Sequence, residues 1–314
     1  VDGTTDVSNQ VSVNDEEHAS SNGQAQQQNV IKNIGTIDYA NRTVDWSISV
    51  NKNHYAMTNL VLTDTYAPAR GLSMALRQGA QYNLDIRDKT ANVTLQPNKD
   101  YTIVLTTDND GYQTGFVVHL IGDYASTDHE LTINYRTNFD VSNLDPDQSS
   151  LNHFTNGINA NWYDQNGDEH HSNDHKDFKP NYPYALNAQK SGVYNAVTKT
   201  ITWTVAVNLS GNQLENATLI DPVLNNQSYL SGSLKVFNAQ TNPDGSVTKR
   251  SEQAVNAQIR KVTEPNVLNE QTIDVYFPND IAQTYLIEFQ TSVAAKVIGK
   301  QGDYTNVAKY ANNG

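Results

Sequence analysis

Two aspartates stand where a charge is costly. Asp64 closes the run N-L-V-L-T-D and Asp221 closes N-A-T-L-I-D, each directly after apolar or β-branched residues. An unpaired carboxylate in such a run would have to be buried at a penalty. Each aspartate has a lysine upstream, Lys32 or Lys190. Each has an aromatic-Thr-Asn triplet downstream, ending on Asn156 or Asn306. These side chains offer an amine, a carboxyl and a carboxamide. An amine is a nucleophile only when neutral, and burial favours its neutral form. Burial also keeps a carboxyl protonated, and a protonated carboxyl can donate to a poor electrophile such as a carboxamide and carry protons for it.

The elements that must position these residues are repeated. R-T-V-D-W-S-I-S-V-N from Arg42 matches K-T-I-T-W-T-V-A-V-N from Lys199 position by position. Trp46 pairs with Trp203, Asn51 with Asn208 and Asp64 with Asp221, and the same 18 residues separate tryptophan from aspartate in both copies. Further on, I-N-Y-R-T at Ile133–Thr137 matches I-E-F-Q-T at Ile287–Thr291. The period of about 157 residues is a domain length, so the repeat means two tandem modules rather than a solenoid of short units.

Within each copy, Ile201, Trp203, Val205 and Val207 fall on one face and the intervening threonines on the other. Such period-two alternation predicts half-buried strands. D-N-D-G at Asp108–Gly111, Q-N-G-D at Gln165–Asp168 and N-P-D-G at Asn242–Gly245 read as hairpin turns. Many short strands with turn signals predict an all-β chain of two tandem immunoglobulin-like sandwiches. The expected division is a disordered polar tail over 1–29, one module over 30–177, a linker over 178–184 and a second module over 185–314. The one short helix expected lies around Gly71–Leu76.

Composition narrows the function. The 314 residues carry a formal net charge of −13 and no cysteine. That charge opposes direct contact with nucleic acid or an anionic membrane. No apolar run is long enough for a spanning helix. Without cysteine, stabilisation outside a cell must come from something other than disulfides.

The K…(K/R)-T-(I/V)-x-W…D…(Y/F)-T-N pattern resembles the collagen-adhesin (MSCRAMM-like) family of Gram-positive wall-anchored surface proteins. The resemblance spans both modules and is more specific in the second. It implies immunoglobulin-like modules, each closed by a spontaneous Lys–Asn amide assisted by the aspartate. The trios it points to are Lys32, Asp64 and Asn156, and Lys190, Asp221 and Asn306. In the first module Asn152 and Asn159 are rival acceptors. The resemblance further implies an extracellular location, with wall anchoring in the full-length protein, and a host or extracellular-matrix protein or glycan as ligand. By analogy with a trench between modules, the linker aromatics Phe178, Tyr182 and Tyr184 are candidate ligand contacts. A structural stalk or pilin-like spacer is the rival reading.

No constellation in the chain supports an enzyme, a cofactor or a metal, and a monomer is expected. D-E-H-H-S-N-D-H at Asp168–His175 is read as a solvated hairpin loop in preference to a zinc site, and D-N-D-G lacks the later spacing of a calcium loop.

Overall fold

The computed structural model describes residues 3–13, 17–68, 73–77, 84–140, 153–180, 187–224, 227–253, 257–261, 269–277, 279–293 and 308–311. Two compact units divide the chain, the first holding most of residues 1–179 and the second built mainly from 180–314. Both are immunoglobulin-like sandwiches of antiparallel strands.

In the first unit, β1 (Gly3–Val13) and β2 (Glu17–Gln27) pair only with each other. The sequence reading expects no structure here. A hairpin can form because backbone pairing asks for no apolar side chains, but it has little apolar surface to bury. One face of the sandwich is built from β3 (Val30–Asp38), β4 (Thr43–Val50), β6 (Ser73–Leu76), β7 (Asp85–Asp88), β8 (Val93–Thr94) and β12 (Leu131–Asp140). Its order is β3-β4-β12-β7-β8, with β6 also on β12. The other face holds β5 (Met57–Pro68), β9 (Tyr101–Thr107), β10 (Gln113–Leu120), β11 (Ser126–Thr127), β13 (Phe154–Tyr163) and β14 (Glu169–Phe178). Here the order is β14-β13-β5-β10-β9, with β11 on β5.

The second unit repeats the plan. β15 (Ala188–Asn195), β16 (Thr200–Val207), β18 (Ser228–Tyr229), β19 (Lys235–Thr241), β20 (Val247–Gln253) and β23 (Tyr285–Ser292) form one sheet. β17 (Thr218–Leu224), β21 (Ala257–Lys261), β22 (Asn269–Tyr276) and β24 (Lys309–Ala311) form the other, in the order β21-β22-β17-β24.

Alternation sets the cores. Val44, Trp46, Ile48 and Val50 of β4 all turn inward, as do Leu131, Ile133, Tyr135, Thr137 and Phe139 of β12. In the second unit Trp203, Val205, Ile287 and Phe289 pack on Leu219, Val223, Ile273 and Val275 of the facing sheet.

The duplication reaches fine detail. The indole N–H of Trp46 donates to Thr137 Oγ1 at 2.9 Å, and that of Trp203 donates to Thr291 Oγ1 at 2.9 Å. Asn51 Nδ2 donates to the carbonyls of Tyr55 and His129, and Asn208 Nδ2 to those of Asn212 and Gln283. Both asparagines take left-handed backbone, with φ of 59° and 56°, a conformation asparagine tolerates better than most residues.

Two expectations are corrected. Ser73–Leu76 is strand β6, paired with β12 rather than helical. Its Met74 and Leu76 are buried at period two, so local composition yields to sheet pairing. The stretch Asp168–His175 is not a loop. From Glu169 onward it is strand β14, paired residue for residue with β13. Polar residues are tolerated there because β14 lies at the sheet edge with much of its surface exposed.

Candidate functional site

Four strands of the first unit aim polar side chains into the space between the sheets. β3 supplies Lys32, β12 Tyr135, β5 Asp64 and β13 Asn156. Register decides their meeting. Tyr135 lies directly opposite Trp46 on β4. On the facing sheet Ile158 lies opposite Asp64, and Asn156 opposite Tyr66. Asp64, Tyr66, Asn156 and Ile158 therefore all face inward, two residues apart along each strand.

All are buried: Lys32 is 0% exposed, Asp64 1%, Asn156 0% and Tyr135 3%. Lys32 Nζ forms an ion pair with Asp64 Oδ2. It also donates to the Tyr135 hydroxyl at 2.6 Å. That hydroxyl donates to Asp64 Oδ2 at 2.7 Å and accepts from Asn156 Nδ2 at 2.9 Å. The rings of Trp46 and Tyr135 flank the amine, with centroids 5.4 and 5.3 Å from Nζ.

Burial lowers the pKa of Lys32 despite the attraction of Asp64. Burial raises that of Asp64, against Lys32 and the hydrogen bonds of Tyr135 and Asn156. Both directions favour a neutral amine beside a protonated carboxyl. The acceptors Asp64 Oδ1 and Asn156 Oδ1 find no donor among the described residues. A proton on Asp64 would turn an idle acceptor into a donor.

The second unit places the matching pair. Lys190 Nζ contacts Asp221 Oδ2, and the rings of Trp203 and Phe289 lie 5.3 and 5.5 Å from the amine. Burial lowers the Lys190 pKa, against Asp221. The acceptor expected there, Asn306, lies outside the described residues. Lys309 pairs with Ile220 as Asn159 pairs with Thr63, so β24 and β13 share one register against β17 and β5. Asn306 precedes Lys309 by the same three residues as Asn156 precedes Asn159.

The rival acceptors separate. Asn159 is exposed, whereas Asn156 is buried in the cluster. Asn152 lies outside the described residues, as do Tyr182 and Tyr184. Phe178 is 2% exposed and stacks on Phe154 at 5.4 Å, with Phe139 edge-on at 5.1 Å. It is a core residue of the first unit, with no ring face offered to a ligand.

Sequence reasoning missed Tyr135 and Tyr66. Tyr66 is buried, and its hydroxyl has no hydrogen-bond partner among the described residues. The repeat does not mark them: Tyr135 aligns with Phe289 and Tyr66 with Val223. The two units thus build the same lysine–aspartate pair, one lined with hydroxyls and one with hydrocarbon. Among the described residues no group of three or more histidines, cysteines or acids is arranged to hold a metal.

No curated protein matches the chain. The collagen-binding subdomain of the Enterococcus faecalis surface protein ACE aligns at 14% identity, over 49% of this chain and 98% of that one, with a TM-score of 0.34. A collagen-binding domain from a Staphylococcus aureus adhesin aligns at 17% identity over 48% and 98%, with a TM-score of 0.33. A C-terminal fragment of the Streptococcus agalactiae major pilin GBS80 aligns at 11% identity over 84% and 79%, with a TM-score of 0.36. Residues 186–314, essentially the whole second unit, match the model of the collagen binding domain family, in agreement with the collagen-adhesin resemblance of the repeated motifs.

Proposed function

We propose that the chain is part of a bacterial surface adhesin that engages an extracellular-matrix protein, collagen being the first candidate, through modules that cross-link themselves. The observation that carries the cross-link is the buried meeting of Lys32, Asp64 and Asn156. The collagen binding domain match over 186–314 supports the ligand class.

The chemistry balances within the chain. A proton moves from Lys32 to Asp64, leaving a neutral amine. The amine nitrogen attacks Cγ of Asn156 while protonated Asp64 hydrogen-bonds to the carboxamide oxygen. The Cγ–Nδ2 bond breaks, ammonia leaves, and an uncharged amide joins β3 to β13. This replaces a costly buried ion pair with a neutral bond. It also closes nearly the whole unit, where a cross-link restricts the unfolded chain most. Lys190, Asp221 and Asn306 would do the same in the second unit. Each reaction happens once, on the chain itself, so the protein has no turnover and is not an enzyme. The full-length protein would be extracellular and anchored to the cell wall.

Binding of the purified chain to immobilised fibrillar collagen, with fibronectin, fibrinogen and albumin alongside, tests the ligand. Saturable binding to collagen that survives in a fragment beginning near residue 186 is expected. No binding to any matrix protein would favour a spacer whose ligand site lies elsewhere.

A further inference from the structure

We infer that the Tyr135 hydroxyl is a catalytic group in the first unit, carrying a proton from the attacking Lys32 nitrogen to the departing Asn156 nitrogen. The inference rests on the proposed Lys–Asn amide and adds to it a division of labour that the lysine, aspartate and asparagine alone do not provide.

Geometry carries it. One oxygen touches all three reacting groups: Lys32 Nζ at 2.6 Å, Asp64 Oδ2 at 2.7 Å and Asn156 Nδ2 at 2.9 Å. These are ordinary hydrogen-bond lengths, within the reach a proton-transfer group needs. The ring is fixed edge-on against Phe116, with centroids 5.1 Å apart, so packing holds the hydroxyl in place.

A group in this position eases the proton accounting, which the carboxyl would otherwise carry alone, as in the second unit where Phe289 stands in its place. When neutral Lys32 attacks Cγ, the new C–N bond leaves a surplus proton on Nζ. Nδ2 must gain a proton to leave as ammonia, because an amide anion is a poor leaving group. Asp64 can serve the carboxamide oxygen, but both nitrogens also need service, and the Tyr135 oxygen contacts both. Before attack its proton points to Asp64 Oδ2 and Nδ2 donates to it. Once attack on Cγ ends the amide resonance and makes Nδ2 basic, the hydroxyl turns to Nδ2, accepts the proton from Nζ as it gives its own to Nδ2, and ends as it began. Burial and the nearby Asp64 carboxyl hold the phenol well above its usual pKa, which keeps it protonated, so that it gives up its proton only as it takes another.

The second unit is a natural comparison. Phe289 occupies the matching place, opposite Trp203 as Tyr135 is opposite Trp46. A phenylalanine therefore fits this register and packing, and Tyr135→Phe is expected to fold.

The experiment follows both cross-links during cell-free synthesis of the full chain, by peptide mapping for the Lys32–Asn156 and Lys190–Asn306 linked peptides at timed intervals. Circular dichroism and resistance to trypsin report folding of each variant. Tyr135→Phe should slow the first cross-link at least tenfold and leave the second at the wild-type rate, consistent with the usual contribution of a positioned acid–base group, about a hundredfold or more. A 3-fluorotyrosine placed at 135 keeps the ring and hydroxyl while lowering the phenol pKa. It should shift the rate of the first cross-link, which a packing role would not. Normal rates in both Tyr135 variants would overturn the relay and leave the amide standing. A wild-type chain without the Lys32–Asn156 link would overturn the amide reading, and the relay with it.

Discussion

At the residue scale, the first unit holds a lysine, an aspartate and an asparagine with almost no access to water, and their chemistry follows from that burial. Asp64→Ala should abolish the Lys32–Asn156 amide and leave the amine buried without its carboxyl. Loss of a cross-link closing so long a segment costs on the order of 5 kcal/mol. The expected outcome is a lower denaturant midpoint for the first unit, with the second unchanged. A separate cluster makes stability depend on acid. Burial disfavours the Asp88 carboxylate, but the Ala91 N–H, His129 and the Tyr124 hydroxyl outweigh it and hold its pKa below the ordinary 3.8. A depressed carboxylate pKa contributes stability that is complete above the unfolded value and is lost as pH falls through the folded one. Melting temperature should therefore drop as pH falls below about 4, and Asp88→Asn should flatten that drop. The lysine, aspartate and asparagine were legible because the chain repeats them. Tyr135 was not, because it differs between the copies and a search for what recurs passes over it.

At the element scale, the site depends on strands that bring their residues to one level. Gly115 of β10 lies opposite Thr65, beside Asp64, with φ of +150°, and a Cβ there would sit 1.9 Å from the Asp64 carbonyl oxygen. Gly115→Ala must displace the strand that carries the aspartate. It should cost about 3 kcal/mol or more and reduce the yield of the first cross-link, read by chemical denaturation and by mass. Strand pattern was legible wherever one face is buried, as in β4, β12 and β16. It failed at Ser73–Leu76, where four residues are too few to show a period. It failed again over Glu169–Phe178, where an edge strand of histidines, asparagine and aspartates shows no apolar alternation. Register, which decides that Asn156 rather than Asn159 faces inward, could not be read without the partner strand.

At the scale of the whole molecule, the chain is two sandwiches built on one repeated pattern, with 314 residues, a net charge of −13 and no cysteine. The absence of disulfides and the two lysine–aspartate pairs are parts of one account, in which an amide from β3 to β13, and its counterpart in the second unit, do the stapling. Intact mass of the native chain under denaturing conditions tests this most directly. Each amide releases one ammonia, about 17 Da, as the lysine acts on its own chain. The account predicts a deficit of two ammonias, with one restored by Lys32→Ala and the other by Lys190→Ala after allowing for each substitution. A mass equal to that of the plain sequence would contradict it in both units.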